Sequence, residues 1–512
     1  MNNTRAAGRR EWLGLLVLVL PTLVVAMDMT ALFLALPRVS ADLGADSTQQ
    51  LWITDSYGFL VAGFVITMGT LGDRIGRRRL LLIGAAAFAA VSIVAAWSAN
   101  PQMLIIARGL LGIAGATLTP STLALISSMF RDERQRGRAI AVWATSQFAG
   151  GALGPVLAGF LLQYFWWGSV FLIAVPVMVL LLIVGPMVLP EYRAPEPGRL
   201  DLASVGLSLV SVLLTIYGLK RLTVEGPHDL AVPLAAIVAG LAVGAVFVRR
   251  QLKLDTPLLD LRLFRNRPFT AVLVALVLAG VAMAGTGLMV TQYLQSVLGF
   301  SALASAVLFA PMGLAVAVGT MAAPGLTRWL KPSTAIAAGL AVSVLGSVLL
   351  VLVDSVHGLP LVMVGIAVLA LGTGPLFALG TGLVVGSVPV ERAGSAASMS
   401  ETGNYFGGSL GLALLGVLGA SVYGGRMADA VAAGAPAAAG ETLAGATAAA
   451  RQLPPTEAAE LLHTAKDAFT SGVNVIGVVA AVLFSALAVL VVKARSTGTT
   501  TDSQAEIQPA AA

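Results

Sequence analysis

Cysteine is absent from the 512 residues, which excludes disulfides, thiolate metal sites and thiol catalysis. Charge is scarce as well. Asp, Glu, Lys and Arg make up 11% of the chain, against roughly 25% in soluble domains, so there is too little polar surface to coat a water-facing globule. Histidine occurs only as His228, His357 and His463. The sequence has no G-x-x-x-x-G-K-[ST] loop for ATP, no H-E-x-x-H and no Ser/His/Asp cluster within an apolar run, so neither ATP-driven pumping nor enzymatic catalysis is expected. No metal or cofactor is expected either.

Apolar residues fill the space. They make up 57% of the chain, and mean hydropathy is +0.90. A helix needs about 20 apolar residues to cross the hydrocarbon core. Fourteen runs qualify: 13–36, 49–69, 80–98, 102–124, 139–163, 169–189, 203–219, 231–249, 269–290, 303–325, 334–353, 360–385, 398–422 and 472–493. The run 203–219 is the shortest. The first run is read as a retained helix and not as a cleavable signal.

The net charge of +6 is a topology signal. With the N-terminus inside, the inner segments hold 24 of the 31 Lys and Arg residues. The positive-inside rule then puts both termini in the cytoplasm, and nucleic acid is not an expected partner. All three histidines fall in outer segments. The longest outer segment, 424–471, reads as a loop with an Ala/Gly-rich first part and a short amphipathic helix at Glu457–Phe469. The tail from 496 to 512 is polar and expected to be disordered.

The chain repeats itself. Gly150–Gly159 reads GGALGPVLAG and Gly407–Gly416 reads GGSLGLALLG, matching at six of ten positions. GTLGDRIGRR at Gly69–Arg78 pairs with APGLTRWLKP at Ala323–Pro332, with Thr327 in place of Asp73. The spacing of the two pairs implies duplication. We expect an all-α membrane protein with a first six-helix bundle at 1–195. Two inserted helices and a linker occupy 196–268, and a second bundle occupies 269–495. Paired bundles suit alternating access.

Few residues within the runs can carry charge, and such residues are costly and usually functional. Apart from Arg249 and Lys493 at run ends, they are Asp28 in the first run, Asp55 in the second, Arg108 in the fourth and Glu401 in the thirteenth. Asn404, Tyr405 and Gly408 follow Glu401 at i+3, i+4 and i+7, one helical stripe. Candidate cavity residues are Trp52, Tyr57, Trp143, Gln147 and Met312, together with Gln292, Tyr293, Asn404 and Tyr405. Gly72 and Gly76 are expected to make a tight turn between the second and third helices, in a basic loop where Asp73 could pair with an arginine. Gly150, Gly154 and Gly159 form a small-residue face that permits close helix approach, with Pro155 bending the helix.

The loop Gly69-Thr-Leu-Gly-Asp73-Arg74-Ile-Gly76-Arg77-Arg78 resembles the hallmark of the major facilitator superfamily. Leu104 to Gly115, around Arg108, resembles that superfamily's fourth-helix arginine motif, and Gly150 to Gly159 its antiporter motif. Ala26-Met-Asp28-Met-Thr30 through Pro37, Pro257–Phe264 and Gln292-Tyr-Leu-Gln295 are similar to the fourteen-helix drug:proton antiporters of the QacA type. Two features depart from the pattern. No acid follows Pro311-Met312, which weighs against divalent cations as substrates, and Ala174 stands where relatives carry Asn.

The resemblance implies a major facilitator fold in a bacterial cell membrane. It implies a proton-coupled exporter of lipophilic, cationic drugs, dyes or antiseptics, acting as a monomer. A scaffold exporting a specific endogenous antibiotic, lipid or metabolite is the alternative. Proton and cation would compete for a buried acid. Asp28 ranks first as the deepest acid, Glu401 second and Asp55 third, with Arg108 in the same cavity.

Overall fold

A computed structural model describes residues 7–45, 47–193, 201–225, 230–254, 261–265, 267–386, 388, 393–432 and 435–496. Fourteen of its helices are long and apolar enough to cross a membrane. Without water, backbone groups must bond within the span, and helices satisfy that condition. They are α1 (Arg9–Leu43), α2 (Ser47–Ile75), α3 (Arg77–Ala96), α4 (Pro101–Met129) and α5 (Glu133–Tyr164). Next come α6 (Ser169–Val188), α7 (Leu202–Glu225), α8 (Ala231–Lys253), α9 (Arg267–Gln292), α10 (Ala302–Leu326) and α11 (Pro332–Val351). The last are α12 (Leu359–Gly386), α13 (Ala393–Ala432) and α14 (Pro455–Ser496). Polar side chains start several of them. Asn100 accepts from the Met103 amide, Asp132 from that of Gln135 and Ser301 from that of Ala304, taking up N–H groups the first turn leaves unpaired.

The apolar side chains gather into two main cores. One is built by α1 to α6 around Leu18, Phe88, Leu111 and Phe171. The other is built by α9 to α14 around Leu276, Ile336, Leu369 and Phe484. Val385, Ala393 and Ala397, at the facing ends of α12 and α13, pack into the first core. They therefore join the two bundles at the end that carries Arg9 and Lys493, called the basic end here. Along the α5–α10 seam the contacts are small. A Cβ on Gly313 would stand 2.8 Å from that of Ala152. Thr145 and Thr320 share a hydroxyl hydrogen bond of 2.7 Å, and Ala141, Ala323 and Ala378 form a small buried cluster.

Helix α7 packs on α2 and α13 and so touches both bundles. It pairs with α8, where Gly240 lets the helices approach and Ser211 donates to its carbonyl at 2.9 Å. At the basic end Arg250 donates two hydrogen bonds to Asp201, at 2.7 and 3.1 Å. Arg250 and Ser204 hold the Asp201 carboxyl well below its usual range.

Three expectations need correction. The basic loop at 70–79 is almost entirely helical: α2 runs to Ile75 and α3 starts at Arg77. Gly72 lies inside α2, and Gly76 alone makes the turn, at φ 110°. The 424–471 segment is not a loop. Helix α13 continues to Ala432, short helices cover Ala437–Glu441 and Leu443–Ala450, and α14 begins at Pro455. Glu457–Phe469 is thus the start of the last span and not a separate helix. The shortest run, 203–219, is extended at both ends in α7. His228, Pro257–Asp260 and the tail from 497 onward lie outside the described residues.

Candidate functional site

Helix α4 is buried almost throughout, so Arg108 must find its partners inside protein. Its Nη1 donates to Asp28 Oδ2 at 2.6 Å and its Nε to the Ile53 carbonyl at 3.3 Å. The guanidinium lies over the Tyr57 ring, 4.5 Å from its centroid. Glycine makes this possible, since a Cβ on Gly112 would come within 2.5 Å of the Tyr57 carbonyl oxygen. Asp28, Arg108 and Tyr57 therefore form one buried cluster within the first bundle.

The antiporter-motif glycines serve the same place. A Cβ on Gly150 would stand 2.3 Å from the Leu23 carbonyl oxygen, and one on Gly154 would stand 2.2 Å from Thr30 Oγ1 and 2.7 Å from the Met27 carbonyl oxygen. These glycines press α5 onto α1 beside Asp28. Gly159 meets Leu34 of α1 and Leu303 of α10. Pro155 sits inside an unbroken α5.

Glu401 is placed differently. It is 4% exposed and, among the described residues, has no cationic partner. Gln147 Nε2 donates to its Oε2 at 3.5 Å, from α5 in the other bundle. The two flank a cavity of about 10 Å³ between the bundles, room for roughly one water molecule. Trp143 and Phe148 also line it from α5, Ser400 and Asn404 from α13, and Phe377 and Thr381 from α12. Trp143 is anchored by donating to Thr122 Oγ1 at 3.0 Å. One turn beyond Glu401, the Tyr405 hydroxyl approaches Met29 Sδ at 4.0 Å. Tyr405 thus links the Glu401 cavity to the helix of Asp28.

At the basic end, Asp73 accepts from Arg77 Nε at 2.9 Å. Arg77 is fully buried, donates to the Ala124 carbonyl at 3.2 Å and lies over the Tyr192 ring. Gly76 turns against Glu191, which pairs with Arg78 at 3.4 Å. Gly69 is buried and Arg74 half-buried within α2.

The remaining candidates are not brought to the cavity. Tyr293, in the π turn Tyr293–Val297 just past α9, is buried in the second core with its hydroxyl on the Asp354 carbonyl, and Gln292 at the end of α9 is exposed. Met312 is buried in the second core. Trp52 is exposed and packs on Phe59, and Asp55 is half-buried in the same stretch of α2. Phe377 and Thr381 escape sequence reasoning because α12 is uniformly apolar. The available signal was Pro375, which precedes a π-helical turn at Leu376–Gly380.

Comparison with known proteins decides the family. The model of the Major Facilitator Superfamily matches residues 18–412. The chain belongs to the major facilitator superfamily. The multidrug efflux pump LfrA of Mycolicibacterium smegmatis is 39% identical over 492 residues, covering 96% of this chain and 97% of that protein. The methyl viologen resistance protein SmvA of Salmonella typhimurium is 32% identical over 468 residues, covering 90% and 93%. Among solved structures, the human organic anion transporter MFSD10 aligns with a TM-score of 0.60 over 93% of this chain and 99% of that one, at 14% identity, and supports the fold alone. The superfamily consists of transporters, and among the described residues fourteen helices are long and apolar enough to cross a membrane.

Proposed function

We propose that this protein exports lipophilic, cationic small molecules from the cytoplasm in exchange for protons. The observation that carries the reading is Glu401, a buried carboxylate without a cationic partner among the described residues, on a cavity between the two bundles. Export of drugs, dyes or antiseptics is supported by relatives along nearly the whole chain that are named for multidrug efflux and methyl viologen resistance.

In this reading Glu401 holds a proton when the site is empty and gives it up to an organic cation. Competition for one carboxylate is a negative coupling, the linkage exchange requires. Asp28, ranked first for its depth and its nearness to Arg108, is already paired with that arginine. It acts with Tyr405 as a sensor beside the cavity. Asp55, nearer the opposite end, screens substrate charge on the way. The bundles 1–195 and 269–495 rock against each other, 196–268 bridges them, and the protein works as a monomer. The 24 Lys and Arg residues that fall on the side of the N-terminus support a cytoplasmic basic end, and in this reading the packed α12 and α13 ends close the cytoplasmic side. The turn at Asp73, Gly76 and Arg77 steadies that closure.

Ethidium efflux from energised cells tests the reading. Export that collapses with a protonophore and is lost in Glu401→Gln supports it. Export insensitive to the protonophore contradicts proton exchange.

A further inference from the structure

Phe148 and Phe377 meet across the junction of the bundles, with ring centroids 4.9 Å apart and planes inclined at 54°. Phe148 comes from α5 and Phe377 from the π-helical turn of α12 that follows Pro375. A π turn inserts one extra residue into a helix, is rare, and is found mostly at functional sites. Here it presents Phe377 to the same small cavity that Glu401 and Gln147 flank.

The cavity holds about 10 Å³, while sites for drug-sized ligands span roughly 300–1,000 Å³. Room for a substrate must come from parting the bundles. The two rings belong to opposite bundles, so that movement separates them. Each then offers an aromatic face it previously gave to the other, next to an acid. Two aromatic faces and a carboxylate suit a flat, delocalised positive charge.

We propose that Phe148 and Phe377 are the two halves of an aromatic clamp. It is closed on itself in this conformation and opens to sandwich a planar organic cation whose charge Glu401 neutralises. This rests on the cation-export reading and sharpens its substrate class from lipophilic cations to planar ones.

The test measures binding to purified protein in detergent, with ethidium as a flat probe and tetraphenylphosphonium as a propeller-shaped probe of equal charge. Phe377→Leu and Phe148→Leu keep an apolar side chain and remove the ring. Each should weaken ethidium by about tenfold, the loss of one stacked face, and change tetraphenylphosphonium by no more than about twofold on the same scale. Phe377→Trp should keep ethidium binding near the parental level. Retained tetraphenylphosphonium binding certifies the fold of each variant. Leucine variants that bind ethidium like the parent, or that lose both cations equally, overturn the clamp and leave the export reading standing. A parent that binds neither cation overturns the export reading and the clamp with it.

Discussion

Arg108 on α4 and Asp28 on α1 are joined at 2.6 Å, with side chains 1% and 5% exposed. Removing one partner of such a pair leaves a buried charge unmatched, at a cost of about 3–5 kcal/mol. Asp28→Asn alone should therefore lower thermal stability and folded yield. The double variant Asp28→Asn/Arg108→Gln should lose clearly less than the sum of the two single losses. A double-mutant cycle of melting temperatures checks this, and strictly additive losses would show that the pair is not coupled.

Gly154 predicts a steric effect. The methyl of Gly154→Ala would sit 2.2 Å from Thr30 Oγ1 and 2.7 Å from the Met27 carbonyl oxygen. Overpacking of this kind costs about 1–3 kcal/mol, and here it pushes α1 away from α5 beside Asp28. Transport should fall even in variant protein that remains folded. Gly151→Ala on the same helix, where a Cβ meets nothing within 4 Å, should transport normally. Equal transport by the two variants would remove the steric argument.

Much of the fold was legible because lipid imposes a simple length rule, and all fourteen spans answer to it. The ends were not legible. Hydropathy reports contact with lipid, whereas a helix ends where its hydrogen bonds do. Gly72 to Ile75 and Pro455 to Phe469 are too polar for the rule yet remain helical. At the site, Glu401, Gln147, Trp143 and Asn404 could be found as polar or aromatic groups in apolar runs. Asp28 and Arg108 are expected in one cavity, but their direct contact is not legible, since the two lie 80 residues apart and depth in one helix says nothing of what faces it. Nor does the sequence show that Tyr293, in the π turn just past α9, turns its hydroxyl to the Asp354 carbonyl.

Asp73 holds the buried Arg77 at 2.9 Å at the turn between α2 and α3. Asp73→Asn keeps the shape and removes the charge, which should loosen that end without touching the cavity. Ethidium binding in detergent should stay within about threefold of the parent, a difference under 1 kcal/mol, while efflux from cells falls severalfold. Unchanged efflux would show that the turn has no part in the transport cycle.

Proton release tests the central claim that Glu401 exchanges a proton for a cation. Ethidium is added to weakly buffered, detergent-solubilised protein and the pH is followed. The parent and Asp73→Asn should release protons as the dye binds, and Glu401→Gln should release none beyond the buffer blank. Release by Glu401→Gln equal to that of the parent would contradict the account and move the exchange to another acid.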